Sequence, residues 1–432
     1  MAMIRPETEM KDSGIEYVGA IPNDWDLVRL RAYFGERKNK NKDGNETNLL
    51  SLSYGRIIRK NIDKTDGLLP ASFNTYNIVE KNDIIIRPTD LQNDKRSLRT
   101  GLVTEHGIIT SAYIDLMPIG NVDSRFVHYL LHSYDILKVF YNMGSGVRQG
   151  LNYSEFSKLK VPMPLLSEQQ AIADYLDETC SKIDEIIAEA KASIDEYKEL
   201  KKSVIFEAVT KGLDKNINVY KTGNSWIPLL PAGVKLSRFG LHHDIILGKM
   251  LCPTPRNEED TLEPYYCAAN VHFDGVTGEL KTMWFNSKEK ETYVVHKNDM
   301  LIVEGGAGAG GAAIMNEEPP VSTFVQNSIM IVRSHMKDNR YSCYLVQALV
   351  KNKYVDVVCN KATIPHFTKE KVSYMPYPVF NRNERNEIAN YLDERCKQID
   401  SLIPEKESLI NDLESYKKSL IYEVVTGKRR VV

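Results

Sequence analysis

The sequence predicts an α+β protein: two similar globular domains joined by two long helices that form an antiparallel coiled coil, the whole pseudo-two-fold symmetric. Three observations predict it. A chain of 432 residues is too long for one hydrophobic core and divides into domains. Residues Ile172 to Thr210 lie over Ile388 to Thr426 at a constant offset of 216 without a gap, with 19 of 39 positions identical. Within these two segments apolar residues follow the alternating spacing of four and three that marks a helix seam.

The first globular segment carries short apolar runs suited to strands, at Asp83 to Ile86, Gly107 to Thr110 and Tyr113 to Leu116. A helical pattern follows near Arg125 to Tyr141. The second segment repeats this order, with strands expected at Tyr293 to Val295, Met300 to Val303 and Ser328 to Val332 and a helix near Tyr341 to Val358. Lys81-Asn82-Asp83-Ile84 matches Lys297-Asn298-Asp299-Met300 at the same offset of 216. The partition expected is residues 1–165 and 214–382 for the globular domains, with helical spacers at 166–213 and 383–432.

The seam of the first spacer runs through Ile183, Ile187, Ile194, Tyr197 and Val204, and Lys201 interrupts it. The second offers Ile399, Ile403, Ile410, Leu413 and Leu420, with Lys406 and Lys417 on the same register. Such a stripe requires a partner helix. A helix of about 40 residues is about 60 Å long, enough to hold two domains apart. Pro404 lacks a backbone donor and is expected to start or kink the second helix.

Composition excludes several classes. Hydrophobic residues at 42% and charged residues at 26% are ordinary for a globular protein. No run reaches the roughly 18 apolar residues of a membrane span, and the N-terminus has no apolar signal core, so a cytoplasmic protein without membrane partners is expected. The six cysteines show no zinc spacing and read as reduced thiols. No metal site is expected; His242 and His243 read as structural or exposed. Net charge is −2, yet positive charge lies outside the first spacer: residues 14–165 hold 20 Lys and Arg against 17 Asp and Glu, residues 166–213 hold 6 against 11. Twin domains on a rigid strut suit a duplex with two half-sites, since readers about one turn, roughly 34 Å, or more apart set half-site spacing.

The chain contains the words Asp12-Ser13-Gly14-Ile15-Glu16-Tyr17 with Ile21-Pro22-Asn23-Asp24-Trp25, Gly144-Ser145-Gly146-Val147-Arg148-Gln149, Pro162-Met163-Pro164 leading to Glu168-Gln169-Gln170, and Ala208-Val209-Thr210-Lys211-Gly212. Through them it resembles the specificity subunits of type I restriction-modification enzymes across nearly its whole length. The resemblance implies two target-recognition domains, each reading one half of a bipartite double-stranded DNA site, and helical spacers that dock two methylation subunits. It also implies translocating nuclease subunits as partners, no catalysis and no cofactor on this chain, and S-adenosylmethionine on the methylation subunits. The second half departs from the pattern: Gly146 to Gln149 becomes Ala362 to Pro365, so contacts of Arg148 or Gln149 do not transfer.

Base reading needs Arg or Lys for guanine and Asn or Gln for adenine, while other cations meet phosphates. The candidates in the first domain are Arg56, Arg59, Lys60, Arg87, Lys95, Arg96, Arg99, Arg148 and Gln149. In the second they are Lys249, Arg256, His272, Gln326, Asn327, Lys361 and His366. Gly306 to Gly311 fits G-x-G-x-x-G but has no room for the following helix, so it reads as a loop allowing close backbone approach and not as a dinucleotide site. Two rival functions remain open on the residues: a coiled-coil adaptor without DNA reading, and a self-contained DNA methyltransferase. The second requires an Asn/Asp-Pro-Pro-Tyr/Phe loop, and the sequence has none.

Overall fold

Asn82 and Asn298 both hold a left-handed backbone, with φ of 76° and 68°. This explains the repeated word around them. Asn tolerates that region better than other side chains, and each following Asp closes the turn by accepting an amide three residues back, Asp83 from Glu80 and Asp299 from His296. The chain then enters the apolar strand Ile84–Ile86 or Met300–Val303. A computed structural model describes residues 3–61, 72–89, 91, 98–143, 150–359 and 365–431. It divides into two compact units, one of Met1–Lys191 with Glu407–Val432 and one of Ala192–Lys406.

In the first unit the strands are β1 (Phe34–Glu36), β2 (Leu50–Ser53), β3 (Arg56–Arg59), β4 (Ile84–Ile86), β5 (Thr100–Leu102) and β6 (Ile114–Pro118). Helix α1 (Ser124–Ile136) packs next, and the chain enters α2 (Leu166–Lys211). A four-stranded antiparallel sheet runs β5-β4-β6-β1. In the second unit β7 (His243–Leu247), β8 (Met300–Val303), β9 (Ala312–Ile314) and β10 (Ile329–Ser334) form a sheet ordered β9-β8-β10-β7. Helices α3 (Arg340–Lys351) and α4 (Arg382–Val425) follow. The order is the same in both units.

A ribbon of two strands also recurs, Asp26–Arg29 with Lys160–Met163 and Lys235–Arg238 with Pro376–Val379. What differs is the material inserted between the first and second sheet strands and between the third and fourth. In the first unit it holds the β2–β3 hairpin and the pair Asn77–Val79 with Gly107–Ile109. In the second it holds a three-stranded sheet of Thr261–Tyr266, Lys281–Phe285 and Phe324–Val325, plus a small hairpin at Val271–Val276.

Each unit contains its own stretch of both long helices. In the first, Asp184 of α2 meets Lys417 of α4 at 2.6 Å and Lys191 meets Glu414 at 4.0 Å, so rising numbers on one helix meet falling numbers on the other. In the second, Lys201 meets Asp400 at 2.6 Å. Lys201 and Lys417, equivalent seam positions under the repeat, therefore have equivalent aspartate partners. Ile183, Ile187, Ile410 and Leu420 are buried in the first unit and Ile194 and Ile399 in the second. Leu413, Tyr197, Val204 and Ile403 are half-buried. Burial of this stripe supplies most of the helix stability in water.

Two expectations are corrected. Pro404 does not start the second helix; it lies inside α4, an unbroken 44-residue element. Its missing N–H removes one rung, opposite Asp400, from a helix anchored by packing on both sides. Tyr293 to Val295 is not a strand: Asn286 and Glu289 form a capping box that draws Ser287–Tyr293 into a helix, and Val294 keeps only an isolated bridge to Phe324. No helix among the described residues is long and apolar enough to cross a membrane.

Candidate nucleic-acid interface

The β2–β3 hairpin turns through Tyr54 and Gly55, with φ of 47° and 79°. Two successive positive φ values give the two-residue turn whose twist matches a hairpin. Tyr54 pays steric strain there and is 86% exposed. Sequence reasoning passed over it, although an X-Gly pair between two strand-like runs is the signal that finds such a tip. Arg56 and Arg59 stand at the two ends of β3, both largely exposed, and Lys60 follows, also exposed.

The hairpin cations are partnered within the first unit. Arg56 donates to Asp184 at 3.1 Å. Arg59 forms a forked pair with Glu105, which lifts the guanidinium further and holds the carboxyl below its usual range. Charge pairs this exposed contribute little stability and are screened by salt, so a phosphate can replace either carboxylate.

The main-chain path brings other candidates to one place. Leu151 donates its amide to the Pro88 carbonyl at 3.0 Å, so the segment after residue 149 runs beside the loop that leaves β4. In the second unit Phe367 donates to the Glu304 carbonyl at 2.6 Å. Both partners are shifted by 216. Arg87 sits half-buried at the first of these junctions. His366 sits exposed at the second, its Nδ1 3.3 Å from Glu304. Lys95, Arg96, Arg148, Gln149 and Lys361 lie outside the described residues.

Two candidates are structural. Arg99 is fully buried; its guanidinium donates to the carbonyls of Thr89 at 2.5 Å and Arg87 at 3.4 Å, and its amide donates to Asp135. It closes the β4–β5 loop from inside. Lys249 is 4% exposed, pairs with Glu289 and lies 5.0 Å from the centre of the Phe285 ring. Both are corrected from DNA contacts to core cations. Arg99→Met therefore removes a loop clamp: urea denaturation is expected to show a loss of about 1–3 kcal/mol, from the two hydrogen bonds made by a charged donor.

Arg256 is exposed and reaches Glu289 at 3.4 Å. His272 is exposed on the Val271–Val276 hairpin. Gln326 and Asn327 are half-buried, and the Gln326 amide donates to the Asn327 carbonyl oxygen at 2.6 Å, so these two spend hydrogen bonds on their own turn. The glycine run after β8 folds back at once into β9, its turn closed by Gly310 donating to Val303 and Gly311 to Gly308. A strand follows it, not a helix, which removes the dinucleotide geometry.

His128 and His132 stand one turn apart on α1 with ring centres 6.2 Å apart. Burial pushes their pKa values down to about 3 and about 4, so both are neutral at physiological pH. Among the described residues no three His, Cys, Asp or Glu side chains gather to hold a metal ion. Burial raises the thiols of Cys180 and Cys396 to about 11, which makes them inert.

Comparison with known proteins agrees with this architecture. Residues 77–196 match the model of the type I restriction modification DNA specificity domain. The type I restriction enzyme MjaVIII specificity subunit of Methanocaldococcus jannaschii is 23% identical over 425 residues, covering 95% of this chain and 94% of that one. Among solved structures, a chain from work on complex assembly and conformational transition of the type I R-M system has a TM-score of 0.69 at 15% identity, covering 94% of this chain and 99% of the other. The HsdS subunit from Thermoanaerobacter tengcongensis has a TM-score of 0.54 at 14% identity, covering 94% and 98%. These two likenesses concern the fold. Residues 77–196 thus match a type I restriction modification DNA specificity domain, and the chain is similar along almost its whole length to a type I restriction enzyme specificity subunit.

Proposed function

We propose that the chain is the DNA-reading part of a type I restriction-modification complex and performs no chemistry itself. The observation that carries this is the sheet scaffold built twice around different inserts. One frame with two unlike surfaces fits one bipartite site with two unlike halves. In the first unit the reading surface is the β2–β3 hairpin with Tyr54, Arg56, Arg59 and Lys60, together with the junction at Arg87 and the segment carrying Arg148 and Gln149. In the second it is the insert with Arg256 and His272 and the junction at His366.

The paired helices act as an antiparallel coiled-coil spacer with pseudo-two-fold symmetry. The equivalence of Asp184–Lys417 with Lys201–Asp400 supports that reading, because a polar pair at a seam position specifies register. The spacer carries two methylation subunits, which hold S-adenosylmethionine, and translocating nuclease subunits complete the assembly. Affinity of the isolated chain for DNA is modest and salt-dependent, since few phosphates are neutralised.

Methyl transfer from labelled S-adenosylmethionine to DNA tests this. Activity is expected only when this chain and the methylation subunit are combined. Transfer by the purified chain alone would overturn the non-catalytic reading.

A further inference from the structure

A cluster of charged groups joins α1 to α2 in the first unit and α3 to α4 in the second, with nearly the same atoms. In the first, the Arg125 guanidinium donates to Asp123 at 2.8 Å on its own helix cap, and across to Asp174 at 2.7 Å and Asp177 at 2.9 Å on the long helix. One turn further on, the Tyr129 hydroxyl donates to the other oxygen of Asp177 at 2.8 Å. In the second, Arg340 donates to Asp338 at 3.1 Å, Asn390 at 2.8 Å and Asp393 at 2.8 Å, and Tyr344 donates to Asp393 at 2.8 Å.

The globular sequences around these groups have diverged, yet the Arg, the capping Asp, the Tyr and the receiving Asp are all retained. Apolar residues of the same elements are buried as well, Phe126, Leu130, Ile172 and Leu176 in one unit and, in a shared core, Leu345, Ile388 and Leu392 in the other. The receiving carboxylates are 46% and 45% exposed, and ion pairs at that exposure add little stability. Their effect is directional. A planar guanidinium held between two carboxylates, with a tyrosine fixing the far oxygen of one, allows a single rotation of the short helix on the long one.

We propose that these two latches are positioning elements that fix the angle of each recognition domain on its spacer helix, and so the length of gap the protein accepts between half-sites. The inference rests on the DNA-reading function above.

The test uses the full chain co-expressed with its methylation and nuclease subunits in cells carrying plasmids in which the two half-sites, mapped first for the wild type, are separated by gaps shorter and longer than the native one. Methylation of each plasmid is read by sequencing. Arg125→Gln with Tyr129→Phe is expected to raise methylation at off-length gaps relative to the native gap by about tenfold, the scale of losing a few exposed polar contacts. Arg340→Gln with Tyr344→Phe is expected to do the same from the other side. Asp177→Asn, which keeps the shape and part of the hydrogen bonding, should fall between and serves where the double variant is poorly folded. A gap profile identical to wild type in folded variants would overturn the proposal, even if their melting temperature falls. Absence of bipartite methylation by the wild type would instead defeat the DNA-reading function.

Discussion

Exchanging the segment from Arg29 to Lys160 for that of a related specificity subunit is expected to replace one half of the recognised DNA sequence completely and leave the other half unchanged, with the gap kept where the donor segment supplies the same Arg and Tyr latch. The segment begins and ends in the two-stranded ribbon of Asp26–Arg29 with Lys160–Met163, so its ends are neighbours and the transplanted part closes on itself. It contains the whole first sheet, the hairpin with Arg56 and Arg59, and the junction at Pro88 and Leu151. It excludes α2, where Asp184 meets Lys417. Mapped methylation would show one new half-site at full occupancy. An unchanged target would remove the first unit from recognition.

The second large effect concerns stability. Asp83 is wholly buried, accepts two hydrogen bonds from Arg37 at 2.7 and 3.1 Å, and accepts the Glu80 amide at 2.8 Å. Asp83→Ala opens that turn and leaves a guanidinium beside the sheet without its main partner. Breaking a buried pair in this way costs about 3–5 kcal/mol, and urea denaturation monitored by tryptophan fluorescence should show a loss of that size. The neighbouring Asp115 gives the contrast. It is buried 3.9 Å from Arg37, and burial, reinforced by the negative charge of Asp83, holds its carboxyl far above the usual range. It carries a proton at neutral pH. A group whose folded pKa lies above its unfolded value favours the fold in its protonated form, so it costs stability as pH rises past the unfolded value. Asp115→Asn removes that cost and should leave stability at pH 7 unchanged or higher. Equal losses for both variants would contradict this assignment.

The duplication was legible because the seam residues and the Lys-Asn-Asp word keep one constant offset. The sheet strands at Ile84, Met300 and Ile329 were legible from apolar runs. The latches were not, because Arg125 and Tyr129 stand 215 residues from Arg340 and Tyr344 while Asp177 stands 216 from Asp393. A gapless comparison breaks between them. Arg99 and Lys249 misled for a different reason. A cation near a loop reads as solvent-facing, but the groups that hold Arg99 inside, Thr89 and Asp135, are brought to it by folding. The segment at Tyr293 was lost to a helix cap placed seven residues upstream at Asn286, a local signal stronger than three β-favouring residues. Tyr54 shows the converse: its exposure and strain follow from a two-residue turn that β-propensity alone does not reveal.

The most direct measurement is a genome-wide map of methylated adenines in cells carrying this chain with its partner genes, compared with cells lacking only this chain. Two short defined sequences separated by a gap of fixed length and free composition, methylated only when the chain is present, is the expected pattern. Methylation confined to one uninterrupted sequence, or a map unchanged by removing the chain, would contradict a protein that reads DNA at two places from one duplicated scaffold.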